Sequence, residues 1–308
     1  MSRNSTMVRH PFPVAGELCR VITRDGLELH GFAAVPAKRP RVALLHVHGW
    51  DGNFYENRFV FHAARVVTGR GLLFITANNR GHDYVADVLR DRGRYLDYRQ
   101  VGGIYERFAN SVEDIRAWVD FCTRRGCRRV ILQGHSHGAI KALLYLDRTR
   151  DRRVNGLVLL SPSDDLGLVR AKLGPRYSRA LALARRLVGQ ERDRELMPGW
   201  ANEYPVSAGT FLDCFGPESV TGMFNIARTD RDEFPELARV KVPVLLAAGT
   251  EDEAFVGQPQ DFCRDVAGLL AAAPTVTTAV IKGAPHNYLG REARLAEVLD
   301  HWLARQAG

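Results

Sequence analysis

The sequence predicts an α/β fold in which helices flank a mostly parallel, eight-stranded sheet. Short runs rich in leucine and β-branched residues alternate with longer segments of helical period, which is typical of such sheets. With 308 residues, 45% of them hydrophobic and 25% charged, the chain is long enough to bury a large core. These observations exclude a disordered, collagen-like or small disulfide-bonded protein.

Eight segments have the length and composition of strands. They are residues 18–23, 27–34, 41–47, 72–77, 129–132, 156–160, 242–248 and 275–281. Arg24, Asp25 and Gly26 separate the first two segments, and an Asp-Gly pair favours a tight turn. We therefore expect an antiparallel hairpin before the parallel βα units begin.

Two helices stand out between and after these strands. Residues 110–122 carry one apolar stripe, with Asn110 and Glu113 spaced as an N-cap and its capping-box partner. Residues 292–304 carry a second stripe and predict a terminal helix.

Residues 163–232 interrupt the strand–helix alternation. Residues 177–188 predict an amphipathic helix, and proline and aromatic residues follow it without a clear strand. We interpret 163–232 as a helical cap inserted into a core of residues 1–162 and 233–308. The insertion has ten basic and ten acidic residues, so we expect an uncharged or weakly charged, bulky substrate. Its aromatic side chains are the expected substrate-binding residues: Trp200, Tyr204, Phe211 and Phe215, with Phe224 beside them.

The pentapeptide Gly134-His135-Ser136-His137-Gly138 is the most informative motif. An apolar strand runs into it and an apolar helix leaves it, so Ser136 lies on a sharp strand-to-helix turn. Glycine at positions 134 and 138 leaves room for that turn. The motif predicts Ser136 as a catalytic nucleophile at the carboxyl edge of the sheet.

A serine nucleophile needs a base and an orienting carboxylate. His286 lies in a loop after the last strand, whereas His301 lies inside the terminal helix. Asp252 follows the preceding strand, with Glu251 and Glu253 as substitutes. We therefore predict His286 as the general base and Asp252 as its acid.

A tetrahedral intermediate also needs two donors for its oxyanion. The His137 amide follows the nucleophile directly, and the turn formed by His48 and Gly49 after the third strand brings the Trp50 amide toward the site. We predict the Trp50 and His137 amides as the oxyanion hole, and His48 as a support for the loop.

The order Ser136, Asp252, His286, together with the His48-Gly49 turn and residues 79–82 (Asn-Arg-Gly-His), resembles the α/β-hydrolase superfamily over nearly the whole chain. The family segment usually reads Asp-x-Arg-Gly-His-Gly; here Asn78 stands at its first position and Asp83 at its last. Residues 48–57 and 79–84 are similar to a branch that includes fungal siderophore-ester hydrolases. The resemblance implies an α/β-hydrolase fold with a cap and an esterase or thioesterase activity.

Other chemistries stay open at this level. Water, an amine or alcohol, or an internal carbanion could resolve an acyl-enzyme on Ser136, which leaves acyltransferase and cyclase as alternatives to hydrolase. A non-catalytic, ligand-binding member of the fold is a further alternative. A zinc motif is superficially similar to the sequence from His46 through His48 to Asp51, and His82, His135 or His137 would have to complete the metal site. The spacing argues against it, because the aspartate is one residue late and the final histidine of the motif is missing. We expect neither a metal nor a cofactor.

Composition also bears on compartment and partners. The formal charge of +8 comes from dispersed arginines, with only five lysines, so we expect no nucleic-acid partner. The first sixteen residues contain no apolar stretch as long as a signal sequence requires, and no apolar run approaches the length of a membrane span, so we expect neither export nor membrane association. The cysteines are odd in number and scattered, which favours reduced thiols and a cytoplasmic location: Cys19, Cys122, Cys127, Cys214 and Cys263. The expected partner is a small acyl substrate, and a homodimer stays open.

Overall fold

The large sheet of the computed structural model contains all eight predicted strands. The structure describes residues 12–226 and 233–306. Residues 1–11, 227–232 and 307–308 lie outside this description. The expectation that the first residues hold no signal sequence, and the end of the predicted insertion, fall mostly on these residues. The ten strands are β1 (Glu17–Ile22), β2 (Glu28–Ala34), β3 (Val42–Val47), β4 (Leu73–Ala77), β5 (Ala86–Asp91), β6 (Leu96–Val101), β7 (Arg129–His135), β8 (Val154–Leu160), β9 (Val244–Gly249) and β10 (Val276–Ile281).

The order of strands in the large sheet is β1-β2-β4-β3-β7-β8-β9-β10. Strand β1 is antiparallel to β2, as the Asp-Gly turn predicted, and β2 is antiparallel to β4. Every other neighbouring pair is parallel. The prediction of a mostly parallel, eight-stranded sheet is confirmed.

Helices cover both faces of this sheet. They are α1 (Phe59–Gly69), α2 (Ser111–Arg124), α3 (His137–Thr149), α4 (Asp165–Leu173), α5 (Arg176–Gly189), α6 (Ala208–Phe215), α7 (Pro235–Ala238), α8 (Pro259–Leu269) and α9 (Glu292–Gln306). Helices α1 and α9 pack together on one face, and α2, α3 and α8 contribute to the core on the other. Within the described residues, none of these helices has the length and apolar character needed to cross a bilayer.

The core is divided by the alternation of side chains along each strand. Leu44 packs in the cluster that contains Phe59 and Trp302, whereas its neighbour Leu45 packs in the cluster that contains Trp118. Successive side chains of a strand point to opposite faces, so an apolar strand such as β3 supplies both cores. This double burial explains why the central strands are continuous apolar runs in the sequence.

Helix α2 starts directly after Asn110, as predicted, but the predicted capping hydrogen bond of Asn110 is wrong. Asn110 has helical backbone angles and its side chain makes no capping hydrogen bond. It is the last residue of a short 3-10 turn, Phe108–Asn110, and the Ser111 hydroxyl donates to the Phe108 carbonyl instead. The chain thus enters α2 from a turn that is already helical, so no residue with extended backbone is available as an N-cap.

Strands β5 and β6 form a separate antiparallel hairpin that the sequence did not predict. Only Val88 and Val101 are buried within these two strands. A hairpin with so few buried side chains lacks the alternating apolar pattern on which strand prediction depends.

The segment from residue 163 to residue 226 is mainly helical. It contains α4, α5 and α6, followed by a 3-10 turn at Val220–Phe224. Helix α5 confirms the helix predicted over residues 177–188. Because β8 ends at Leu160, the segment leaves the sheet at the edge where β7 ends at His135.

Candidate active site

Ser136 occupies a strained turn between β7 and α3. Its backbone angles are φ 56° and ψ −129°, a region that residues with a side chain rarely adopt. A Cβ on Gly134 would lie 2.1 Å from the Gly138 carbonyl oxygen, and a Cβ on Gly138 would lie 2.1 Å from that of Val47. The two glycines are therefore required for the turn that presents Ser136.

His286 and Asp252 meet at the same edge of the sheet. The distance between His286 Nδ1 and Asp252 Oδ1 is 2.8 Å. The Asp252 side chain is fully buried and its Oδ1 also accepts from the Ala254 amide at 3.0 Å. Glu251 and Glu253 are exposed, so of the three candidate acids the structure brings Asp252 to His286.

The charge states of this pair follow from their contact. Burial lowers the pKa of His286, but the hydrogen bond to Asp252 and its negative charge outweigh burial and raise the pKa above the usual 6.5. Burial raises the pKa of Asp252, but its contacts with His286 lower the net pKa below 3.8. An ionised carboxylate only accepts hydrogen bonds, so Nδ1 carries the proton of neutral His286 and Nε2 is left as the basic atom.

Three buried residues that the sequence analysis did not assign to the site hold the His286 loop. His135 Nε2 lies 2.8 Å from the His286 carbonyl, and burial lowers the pKa of His135 to about 3, so its neutral ring donates to that oxygen. Tyr288 donates to the Ala247 carbonyl at 3.0 Å and accepts from Ser161 Oγ at 2.8 Å. In the sequence, only the position of His135 next to Ser136 indicates a role in the site. The contacts of Tyr288 with Ala247 and Ser161 join distant parts of the chain and leave no local signal.

The loop after β3 lies against the nucleophile. A Cβ on Gly49 would be 3.1 Å from Ser136 Cβ and 3.5 Å from its Oγ. The Trp50 indole is anchored by a 2.9 Å hydrogen bond to the Gly103 carbonyl. Within the described residues, neither the Trp50 amide nor the His137 amide donates a hydrogen bond. Both predicted oxyanion donors are thus unoccupied groups on elements next to Ser136.

A buried polar network lies behind this loop. His48 Nδ1 is 2.8 Å from the Gly49 carbonyl, and its Nε2 is 3.0 Å from the Asn79 amide. The Asn79 side-chain oxygen is 3.1 Å from Lys141 Nζ, which in turn is 2.6 Å from a carboxylate oxygen of Glu106. The structure places His48 in a supporting position, and it adds a lysine–glutamate pair that the sequence analysis did not identify.

The segment from Asn79 to Asp83 is held in place by ion pairs and hydrogen bonds of its own side chains. Arg80 is buried and its guanidinium binds the carboxylates of Asp114 and Asp25 at 2.7 and 2.8 Å. His82 Nδ1 lies 2.8 Å from a carboxylate oxygen of Asp83. Arg80 thereby fixes the loop after β4 to α2 and to the β1–β2 turn.

A cleft of about 480 Å³ opens beside the two predicted oxyanion donors. Trp50 and Tyr204 meet edge to face in it with ring centroids 5.6 Å apart. Its lining residues are Trp50, His137, Asp165, Leu168, Val169, Ala171, Lys172, Asn202, Glu203, Tyr204, Phe215 and Glu253. Two of the predicted substrate-binding residues, Tyr204 and Phe215, therefore line this cleft.

The other predicted substrate-binding aromatics do not line this cleft. Phe211 is fully buried and packs edge to face on Phe215, and Phe224 is fully buried in the same core cluster. Trp200 lines a neighbouring cleft, where Arg179 lies over its ring. Their aromatic character reflects packing within the insertion, which composition alone does not distinguish from a binding surface.

The histidines considered for a metal site have other partners. His46 Nδ1 is 3.0 Å from the Gln133 amide nitrogen, and His137 Nε2 is 2.7 Å from Asp165. In residues 12–226 and 233–306, no group of three or more His, Cys, Asp or Glu side chains is placed to hold a metal ion.

Comparison with known proteins agrees with this architecture. The sequence model of a family described as the alpha/beta hydrolase family matches residues 44–300. The chain belongs to the α/β-hydrolase family. No curated protein sequence matches this α/β hydrolase in a direct comparison.

Solved structures share the fold of this α/β hydrolase at low sequence identity. Est1E from Butyrivibrio proteoclasticus, solved with ferulic acid, is 17% identical with a TM-score of 0.64, over 93% of this chain and 98% of that one. The serine hydrolase XC6422 from Xanthomonas campestris, described as lacking a lid, is 16% identical with a TM-score of 0.56, over 96% of both chains. Naproxen esterase from Bacillus subtilis is 16% identical with a TM-score of 0.55, over 95% of this chain and 93% of that one.

Proposed function

We propose that this α/β hydrolase cleaves an ester or thioester through an acyl-enzyme on Ser136. The single observation that carries the proposal is the 2.8 Å contact of His286 with the buried Asp252, at the sheet edge that presents the strained Ser136. A dyad with a free Nε2 has the chemistry needed to accept the proton of a serine hydroxyl. Two structural neighbours whose names state an esterase activity, Pf2001 from Pyrococcus furiosus and naproxen esterase from Bacillus subtilis, support this class of reaction.

The reaction follows from these groups. Ser136 Oγ attacks the carbonyl carbon, His286 Nε2 accepts the hydroxyl proton, and the Trp50 and His137 amides stabilise the oxyanion. Collapse of the tetrahedral intermediate breaks the bond to the alcohol or thiol, which leaves with the proton from His286. Water then attacks the acyl-enzyme with His286 again as base, and the acid and free Ser136 are released.

The cleft supports an apolar acyl group of moderate size. Leu168, Val169, Tyr204 and Phe215 give it apolar walls beside the oxyanion donors. Lys172 is paired with Glu203. Among the described lining residues, no unpaired lysine or arginine is therefore left for a phosphorylated acyl group.

We assign the insertion the role of a cap. Leu168 and Val169 belong to α4, and Tyr204 and Phe215 also lie in residues 163–226, so the insertion supplies one wall of the cleft while the Trp50 loop supplies the other. This division places substrate choice in the insertion and the chemistry in the sheet.

A product-resolved kinetic screen tests the function. Purified enzyme is incubated with ester and acyl-thioester series of increasing acyl length, and mass spectrometry distinguishes free acid from acyl transfer to an added amine or alcohol. We expect free acid as the product, and none from the Ser136→Ala variant. Transfer or cyclisation in place of hydrolysis would overturn the assignment of water as acceptor, and undiminished turnover by Ser136→Ala would overturn the nucleophile.

A further inference from the structure

The peptide bond between Gly49 and Trp50 joins the carbonyl that contacts His48 to the amide predicted as an oxyanion donor. No cis peptide bond occurs in the described residues, so the Gly49 carbonyl and the Trp50 N–H point in opposite directions from one rigid plane. A group that fixes the carbonyl therefore also fixes the direction of the amide. His48 Nδ1, 2.8 Å from the Gly49 oxygen, is such a group.

The contacts of His48 define its tautomer. The backbone N–H of Asn79 can only donate, so Nε2 of His48 accepts from it at 3.0 Å and carries no hydrogen. Nδ1 then carries the hydrogen and donates to Gly49. Burial lowers the pKa of His48 well below 6.5, and the charge of Lys141 lowers it further, so the ring remains neutral.

Asn79 is itself held from two sides. Its side-chain oxygen accepts from the Gly81 amide at 3.0 Å and from Lys141 Nζ at 3.1 Å. Lys141 and Glu106 form an ion pair at 2.6 Å with both side chains wholly buried. Buried ion pairs contribute little net stability, because desolvation offsets their attraction, so the pair calls for a role other than stability.

The position of Lys141 indicates that role. Lys141 belongs to α3, one turn after His137, and α3 begins with the second oxyanion donor. The network from Lys141 through Asn79 and His48 to Gly49 therefore connects the two elements that carry the two donors. A rigid connection between them fixes where both amides point without direct contact with the substrate.

We propose that His48, held through Asn79 by the Lys141–Glu106 pair, is a positioning residue that directs the Trp50 amide at the oxyanion. This inference rests on the proposed function, because it assigns the Trp50 amide to transition-state stabilisation. Since an oxyanion forms only during reaction, loss of the positioning hydrogen bond lowers kcat and leaves KM nearly unchanged.

Two substitutions separate the two nitrogens of His48. An asparagine nitrogen occupies roughly the place of Nδ1, so His48→Asn retains a donor for Gly49. The glutamine side chain reaches the place of Nε2, so His48→Gln retains the acceptor for Asn79 and loses the contact with Gly49. His46→Gln is the matched control, since His46 lies in β3 two residues before His48, is equally buried and contacts Gln133 instead of the loop.

The kinetic outcome differs among these variants. Removal of one oxyanion donor costs about 10²- to 10³-fold in kcat, so a misdirected donor in His48→Gln should cost about 10- to 100-fold with KM within about threefold. His48→Asn and His46→Gln should both remain within about fivefold of wild type in kcat, by the same scale. Equal losses in His48→Asn and His48→Gln, or a loss that appears only in KM, would overturn the positioning role.

A measurement without turnover separates this inference from the proposed function. The residual dipolar coupling of the Trp50 N–H bond reports its direction in the free enzyme, and we expect it to change in His48→Gln and not in His48→Asn or His46→Gln. An unchanged coupling in His48→Gln would refute the inference even in an active esterase. Absence of both ester hydrolysis and fluorophosphonate labelling in the wild type would instead refute the proposed function. The residual dipolar coupling of the Trp50 N–H bond would still decide whether His48 directs the Trp50 amide.

Discussion

His286 Nδ1 lies 2.8 Å from Asp252 Oδ1, across 34 residues of sequence and two neighbouring parallel strands. Strands β9 and β10 end at the same edge of the sheet, so the loops that follow them bring the two side chains together. The contact orients the imidazole, raises its basicity and leaves Nε2 available.

Ser136→Ala should abolish turnover. Removal of a triad nucleophile costs about 10⁶-fold in kcat in a serine protease, and we expect a loss of at least about 10⁴-fold here. The measurement is steady-state kinetics on the best ester of the screen, with fluorophosphonate labelling alongside. Ser163→Ala serves as the control because Ser163 lies near the same sheet edge and donates to Asp165; labelling that persists in Ser136→Ala or disappears in Ser163→Ala would contradict the assignment.

Asp252→Asn should retain the fold and lose about 10⁴-fold in kcat, by analogy with the corresponding change in a serine protease. An asparagine amide that donates toward His286 favours the wrong tautomer, so Nε2 no longer accepts the serine proton. Glu251→Gln and Glu253→Gln are the controls: Glu251→Gln should stay within about twofold because an exposed side chain away from the cleft contributes little, and Glu253→Gln, on the cleft wall, should lose far less than Asp252→Asn. A large loss in either control with a small loss in Asp252→Asn would identify a different acid.

The pH dependence of kcat/KM should show an acid limb with a midpoint above pH 6.5, because the base must be neutral and the pKa of His286 is raised. In Asp252→Asn the negative charge is lost while burial remains, so the midpoint of any residual activity should move to lower pH. A wild-type midpoint below 6.5, or no movement in the variant, would argue against His286 as the titrating base.

The contributions of His286 and Asp252 to the free energy of unfolding should depend on pH in opposite directions. Since the folded pKa of His286 is raised, its contribution to the free energy of unfolding is full below pH 6.5 and is lost as pH rises through the raised pKa. Since the folded pKa of Asp252 is lowered, its contribution is present above pH 3.8 and is lost as pH falls through the lowered pKa. Denaturant unfolding of wild type and Asp252→Asn from below pH 3.8 to above pH 6.5 measures both contributions.

Lys141→Met should destabilise the fold by about 3–5 kcal/mol, because it leaves the Glu106 carboxylate buried without its cation. The double variant Lys141→Met/Glu106→Gln removes both charges and should recover most of that loss. Urea unfolding measures both free energies. If the double variant is no more stable than Lys141→Met, the uncompensated charge of Glu106 is not the cause of the loss.

Tyr204→Ala should reduce kcat/KM for a long acyl ester more than for a short one. One methylene in an apolar pocket is worth about 1–3 kcal/mol, or about 10- to 200-fold in kcat/KM, so we expect a loss of at least about tenfold for a substrate that reaches Tyr204. Trp200→Ala is the matched control, since Trp200 also belongs to the insertion but lines a different cleft. Equal effects of Tyr204→Ala on both esters, or a chain-length effect from Trp200→Ala, would show that this cleft does not select the acyl group.

The fold was accessible from the sequence because its signals are local. Central strands buried on both faces are short apolar runs, as in β3 and β9, and the helices of a βα fold have stripes of period 3.6. The strained turn at Ser136 could be predicted for the same reason, since Gly134 and Gly138 flank Ser136 within one pentapeptide. The β5–β6 hairpin was missed because its buried residues, Val88 and Val101, are too few to produce a pattern.

The sequence by itself determined the fold class, the turn that strains Ser136 and the order in which Asp252 and His286 follow it. Tertiary structure alone decided that Asp252 and not Glu251 or Glu253 contacts His286, that Tyr204 lines the cleft while Phe211 packs in the core, and that Lys141 and Glu106 pair behind the oxyanion loop. The physical reason is that backbone turns and periodicity arise from neighbours in sequence. Side-chain contacts arise from strands and loops that meet only when the sheet is assembled.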